Sequence, residues 1–240
     1  LNDDEEFKSF NKLSPDIVVV VAYGQIIPKI FLQSVKLGFI NIHASLLPKW
    51  RGAAPIQRAI MNGDKKIGVS IMKIEEKLDS GPILVSKEFE LDKNENHGEI
   101  EKKLSLEGAN LLIQSLQSIE NGNSKFVDQD ATKATYAKKI DKNETKINWN
   151  KDSNKVLAHI HGLSPNPGAW FEFDKERFKV LKAKVSSENG KTGYVIDDNL
   201  TIGCKTEAIQ ILELQRQGKK KQTTKEFLLG KKINKGVTLV

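Results

Sequence analysis

The first apolar run, Ile17-Val18-Val19-Val20-Val21-Ala22, is short, continuous and β-branched. That is the pattern of a parallel-sheet strand buried on both faces. Tyr23-Gly24 ends it, Pro28 suits the first turn of a helix over 29–35, and Gly38 stops that helix. A second short strand follows over 39–43. The opening therefore reads as a β-α-β unit, which brings a right-handed crossover and parallel strands. Residues 51–61 turn helical after Gly52-Ala53-Ala54-Pro55. Segments 66–74 and 83–91 read as strands flanking the turn Leu78-Asp79-Ser80-Gly81-Pro82, an arrangement that suits an antiparallel pair; Gly68 interrupts the first. Ile100, Leu104, Leu111, Leu112, Leu116 and Ile119 recur at helical spacing and predict an amphipathic helix over 97–119, closed by Asn121-Gly122.

Beyond it the periodicity weakens. Residues 126–146 are rich in Lys, Asp and Thr and read as a linker. Asp152 or Ser153 can cap a short helix through His161, which Gly162 ends. After the turn cluster Pro165-Asn166-Pro167-Gly168, short strands are expected over 169–173, 178–185, 193–196, 200–204 and 208–215, then a short helix over 224–229. Such spacing suggests a small β-barrel or sandwich. The expected organisation is an α/β domain over 1–125, a linker over 126–146 and a β domain over 147–240.

Composition changes this picture little. Of the 240 residues, 38% are apolar and 29% charged, ordinary for a globular protein. No apolar run has the length of a membrane span. The one cysteine, Cys204, has no partner for an internal disulfide, which fits a reducing compartment. Charge is more telling. Residues 1–130 carry 16 Lys+Arg against 19 Asp+Glu, and residues 131–240 carry 22 against 12. A near-neutral half joined to a basic one suggests chemistry in the first and a polyanion contact in the second. A generally lysine-rich surface is the plainer explanation. The chain opens on Leu1 and an acidic polar stretch with no h-region, so no signal peptide is read there. The stretch is expected to be the end of an element that starts upstream.

Candidate chemistry concentrates in 41–56, NIHASLLPKWRGAAPI. Asn41 and His43 are two apart on a strand and so face one side, with Ile40 and Ile42 facing the other. In open α/β sheets, ligands bind beyond the carboxyl ends of strands. A strand-end Asn and His can also simply satisfy loop backbone, and Asp79 can simply serve its turn. His159 and His161 lie about 200° apart on a helix, too far round to share a ligand; no metal site is expected. Trp50 suits packing, and His97 suits capping or surface work.

The whole run Asn-x-His-x-Ser-Leu-Leu-Pro-x-x-Arg-Gly-Ala-Ala-Pro-Ile, with a later Asp, resembles the signature of the folate-dependent formyltransferases. Its Arg-Gly-Ala-Ala-Pro-Ile-Gln portion, SPNPGAW over 164–170 and the basic GKKKQ over 218–222 are most similar to the branch acting on methionyl-tRNA. The resemblance implies an incomplete Rossmann-like formyltransferase domain, lacking its first βα units, followed by a small OB-like β-barrel domain. It implies Asn41, His43 and Asp79 as catalytic residues. Ser45, Leu46, Leu47 and Pro48 would bind 10-formyltetrahydrofolate, the formyl donor, with no metal involved. The other substrate would be initiator methionyl-tRNA, contacted by Arg51, Lys219, Lys220 and Lys221. Arg51 serves equally well as a loop anchor, and the three lysines equally well as a solvated loop.

The implied chemistry suits the residue types. An amine attacking a formyl amide makes a tetrahedral oxyanion, to which an amide N–H and an imidazolium donate. A histidine can carry the proton that the amine loses. A monomer in the cytoplasm, bacterial or in an organelle matrix, is expected, without membrane attachment. Two rival readings remain: a formyltransferase for a nucleotide amino sugar, and an inactive truncated chain that retains tRNA binding. In the second, the strand over 17–22 is expected to have an unpaired edge and the chain to be poorly soluble or inactive.

Overall fold

The computed structural model describes residues 4–239; Leu1, on which the opening of the chain was judged, lies outside them. In chain order the elements are α1 (Asp4–Lys12), β1 (Val18–Val20), α2 (Lys29–Ser34), β2 (Phe39–His43), β3 (Arg51–Gly52), α3 (Pro55–Asn62), β4 (Lys66–Lys73), β5 (Ile83–Glu90), α4 (His97–Glu120) and β6 (Tyr136–Ala137). They continue with α5 (Ser153–Leu163), β7 (Ala169–Phe173), β8 (Glu176–Ser186), β9 (Thr201–Gly203), β10 (Ala208–Arg216), β11 (Lys221–Thr223) and α6 (Thr224–Gly230). Two compact units result. The first runs to Pro55 and adds Lys66–Glu90 and Glu101–Lys139; the second comprises Ile56–Lys65, Leu91–Ile100 and the chain from Ile140.

In the first unit a four-stranded sheet has the order β1-β2-β4-β5. β1 and β2 are parallel, whereas β4 runs antiparallel to both β2 and β5. The alternation of β2 sorts its side chains between two layers. Ile40 and Ile42 pack with Val69, Ile71, Leu111 and Leu112 under α4, while Phe39 packs with Phe7, Phe10, Phe31 and Val35 on the α1–α2 side. α4 approaches the sheet closely at Gly108, where a Cβ would stand 2.9 Å from Ile42 Cγ2.

β1 departs from expectation. It covers three residues, and Val19 and Val21 are 38% and 57% exposed rather than buried. β1 pairs with β2 alone among the described residues, so one edge and part of one face lack cover. In the segment 51–61 the helix begins at Pro55, and the preceding Arg51 and Gly52 pair in parallel with Tyr136 and Ala137.

The second unit holds a five-stranded antiparallel sheet, β11-β10-β8-β7 with β9 also on β10. Its core includes Ile160 and Leu163 from α5 packed with Phe171, Phe178, Ile209 and Ile211. Phe171 and Phe178 stack with centroids 5.4 Å apart, an offset geometry that adds to the area they bury. The strand expected over 193–196 does not form. Tyr194 and Val195 make only isolated bridges, to Thr238 and Ile202. β11 was unforeseen because three polar residues carry no period. Among the described residues no helix is long and apolar enough to cross a membrane.

Candidate active site at the end of the second strand

His43 is the last residue of β2 and Ser70 of β4 is its register partner. Asn41 lies two residues back on the same face, partly exposed, about 6.6 Å away along the strand. Beyond His43 the chain enters the loop 44–50. Ser45 N–H donates to His43 O at 2.9 Å, which starts the turn.

A single hydroxyl fastens this loop to the sheet. Ser70 Oγ donates to Ser45 O at 2.8 Å and accepts from Leu47 N at 3.3 Å. Its one proton is then committed, so the 2.8 Å contact with Ser86 Oγ has Ser86 donating. Leu46 lies against Gly68 of β4, where a Cβ would come within 2.3 Å of Leu46 Cδ2. Ser45 turns inward, 1% exposed, donating to Lys49 O at 2.6 Å. Leu47 is buried, and Leu46 and Pro48 are partly exposed.

The imidazole of His43 is 5% exposed and held by backbone. Its Nε2 stands 2.9 Å from Trp50 O. A carbonyl only accepts, so Nε2 carries hydrogen and the lone pair of a neutral ring lies on Nδ1. Nδ1 is 3.8 Å from Asp79 Oδ2, an ion-pair distance once the ring is protonated but longer than a hydrogen bond. The same Oδ2 accepts from Gly52 N at 2.7 Å. Asp79 takes φ +45° and Trp50 φ +62°, left-handed conformations that an aspartate tolerates but that a bulky tryptophan adopts rarely.

The surroundings of both residues come largely from 127–137, inside the segment read as a linker. Val127 and Ile83 exchange backbone bonds of 2.8 and 2.9 Å. Trp50 N–H donates to Thr135 Oγ1 at 2.9 Å and Arg51 N–H to Thr135 O at 2.9 Å. Arg51 is 6% exposed, with Nε and Nη2 donating to Gln129 Oε1 at 3.1 and 2.8 Å. Gly52 is required here: its φ is +119° and a Cβ would meet Ala137 O at 2.8 Å.

Asn41, His43, Asp79, Arg51 and the loop 45–48 are thus brought together in the first unit. Lys219, Lys220 and Lys221 are exposed on the β10–β11 hairpin of the second, where Lys221 Nζ lies 3.5 Å from Glu213 Oε2. On α5, His159 Nε2–H donates to Glu144 O and His161 Nδ1–H to Lys93 O, so the two rings have separate partners. Burial lowers both below the ordinary histidine range. Sequence reasoning passed over Ser70, Gln129 and Thr135. Gly68, a glycine inside a strand, was the one legible hint of close approach there.

The first unit is a mixed α/β fold carrying an Asn-x-His strand end with an aspartate turned toward the histidine. The chain belongs to the formyl transferase family: the family model for formyl transferase matches residues 1–116 and that for its C-terminal domain matches residues 139–232. It is 49% identical over 233 residues to the methionyl-tRNA formyltransferase of Pelagibacter ubique, covering 97% of this chain and 75% of that protein. The methionyl-tRNA formyltransferase of a Chelativorans strain is 44% identical, covering 100% of this chain and 78% of that one. Among solved structures, HypX from Aquifex aeolicus with tetrahydrofolic acid shares the fold, with a TM-score of 0.71 at 20% identity. The alignment covers 96% of this chain and 43% of HypX.

Proposed function

We propose that this chain transfers the formyl group of 10-formyltetrahydrofolate to the amino group of methionyl initiator tRNA, in the cytoplasm, for translation initiation. The observation that carries the reading is the disposition of His43. One ring nitrogen is fixed on Trp50 O and the other faces the Asp79 carboxylate. Kinship with the methionyl-tRNA enzymes supports the choice of substrate.

The amine nitrogen attacks the formyl carbon, and the carbonyl pair becomes an oxyanion. Asn41 donates a side-chain N–H to that oxygen. His43 Nδ1 takes the proton that the amine sheds, and the resulting imidazolium faces Asp79. That proton then goes to the folate nitrogen as its bond to the formyl carbon breaks, leaving tetrahydrofolate and the new amide. Leu46, Leu47 and Pro48 offer apolar surface to the flat pterin, and the pinned loop backbone offers hydrogen bonds to its edge. Ser45 supports that loop from within. Arg51, engaged with Gln129, anchors the loop.

The chemistry is assigned to the first unit, which takes in 127–137 of the expected linker, and the polyanion contact to the second. There Lys219, Lys220 and Lys221 would meet phosphates, so binding weakens steeply with salt. The chain is taken as a monomer.

The test supplies the purified chain with 10-formyltetrahydrofolate and either methionyl initiator tRNA or a nucleotide amino sugar. Formyl-methionyl-tRNA is the expected product. Transfer to the sugar amine alone, or to neither acceptor, overturns the reading.

A further inference from the structure

Gln129 is tied at every hydrogen-bonding position its amide possesses. Oε1 accepts from Arg51 Nε at 3.1 Å and Nη2 at 2.8 Å. Nε2 donates to Asp79 O at 2.9 Å and Gly81 O at 2.7 Å. The orientation follows from chemistry. A guanidinium only donates and a carbonyl only accepts, so the reversed amide would set donors against donors and oxygen against two oxygens. Glutamate at this position keeps the acceptor for Arg51 but turns a carboxylate on two carbonyls. Asparagine has the groups but is one methylene shorter.

Both ends of this clamp lead to the catalytic carboxylate. Arg51 precedes Gly52, whose N–H holds Asp79 Oδ2. At the other end Gln129 holds the carbonyl of Asp79 itself, at its φ of +45°. Gly81 is locked as well, since a Cβ there would lie 2.0 Å from Lys73 O. The turn is therefore fixed from below by Lys73 and from the side by Gln129, and its carboxylate is fixed by Gly52.

We propose that Gln129 is a positioning residue for formyl transfer: by clamping the Asp79 turn to Arg51 it sets where the carboxylate stands relative to His43. This rests on the formyl-transfer reading above. Gln129 acts through Asp79 and does not touch the reacting atoms.

The test compares Gln129→Glu and Gln129→Met with the unaltered chain. At saturating methionyl initiator tRNA and 10-formyltetrahydrofolate, kcat is expected to fall about 10- to 100-fold in both, the scale of a misplaced catalytic group. KM for methionyl initiator tRNA stays within about twofold, and KM for 10-formyltetrahydrofolate rises less than kcat falls, because Ser70 still pins the 45–48 loop that Arg51 helps to anchor. A second measurement does not depend on turnover. The Gly52 backbone amide should move upfield and exchange faster with solvent in Gln129→Met, while amides of α5 and β10 stay put. Unchanged Gly52 protection with unchanged kcat overturns the proposal. So does a loss of kcat that merely follows a loss of folded protein. If the unaltered chain formylates no tRNA, the functional reading fails, and the Gly52 amide still decides the clamp.

Discussion

His43 Nε2 donates to the carbonyl oxygen of Trp50 at 2.9 Å. A main-chain atom seven residues along thus fixes the ring, leaving Nδ1 to face Asp79 Oδ2 at 3.8 Å. Orientation and charge are supplied by different partners, and the two are separable by mutation. In Asp79→Asn the amide oxygen still accepts from Gly52 N, so the turn keeps its tie. The negative charge beside Nδ1 is lost. The expected result is a fall in kcat of about 10²- to 10⁴-fold, the range of acid–base catalysis. The thermal midpoint should stay within about 3 °C, less than 1–2 kcal/mol for a chain of this size. Turnover near that of the unaltered chain would remove Asp79 from the mechanism.

Gly68 couples the sheet to the loop that carries the folate reading. A Cβ would lie 2.3 Å from both Leu46 Cδ2 and Lys87 O. One clash is with the loop and the other with the backbone of β5, which cannot yield without breaking its ladder. Gly68→Ala is therefore expected to cost about 1–3 kcal/mol, the range for overpacking. Gly230→Ala in α6 is the control, because nothing lies within 4 Å of its Cβ. It should be neutral or slightly stabilising. Thermal melts of the two variants check the pair, and equal midpoints would refute the close approach.

Strand β2 was readable because its information is local. Period two in Ile40, Asn41, Ile42 and His43 sorts apolar from polar whatever the partners are, and the 3.6-residue period of α4 does the same. What stayed hidden depends on distant register. β1 reads as buried, but burial needs neighbours that its own sequence does not specify. Nothing near Arg51 and Gly52 signals that Tyr136 and Ala137 lie alongside them as a paired strand. Gln129 sits in a stretch without periodicity, and its role arises from groups 48 to 78 residues away. Trp50 contributes a backbone oxygen, to which side-chain identity is blind.

The histidines of α5 predict an acid-sensitive second unit. Burial lowers both His159 and His161, which stay neutral in the fold and donate to Glu144 O and Lys93 O. The sign follows from linkage. As pH falls below about 6.5, the unfolded chain binds protons that the folded chain refuses, so stability declines. It is fully present above that pH and is lost as pH drops toward the lowered folded values. Each histidine contributes a slope of at most about 1.4 kcal/mol per pH unit. Between about pH 6.5 and 4.5, above the carboxylate range, urea midpoints should fall, and His161→Gln should flatten the fall. A midpoint independent of pH in that window would contradict the buried neutral rings.

Cys204 offers the final check on that core. It is buried beside Ile202, whose carbonyl lies 3.8 Å from Sγ, and burial pushes its thiol up to about 12. Thiolate is the reactive form, and at pH 8 almost none exists in the fold. Iodoacetamide should therefore leave the native chain unlabelled over hours at pH 8. The same chain in denaturing urea should take up one equivalent within minutes, because an exposed cysteine titrates near 8.5. Native labelling then reports only global or sub-global opening, and its rate should rise in step with urea concentration. Rapid modification of the folded chain would show that the β9 region is open to solvent, and the core assigned around Ile202, Cys204 and Ile209 would have to be withdrawn.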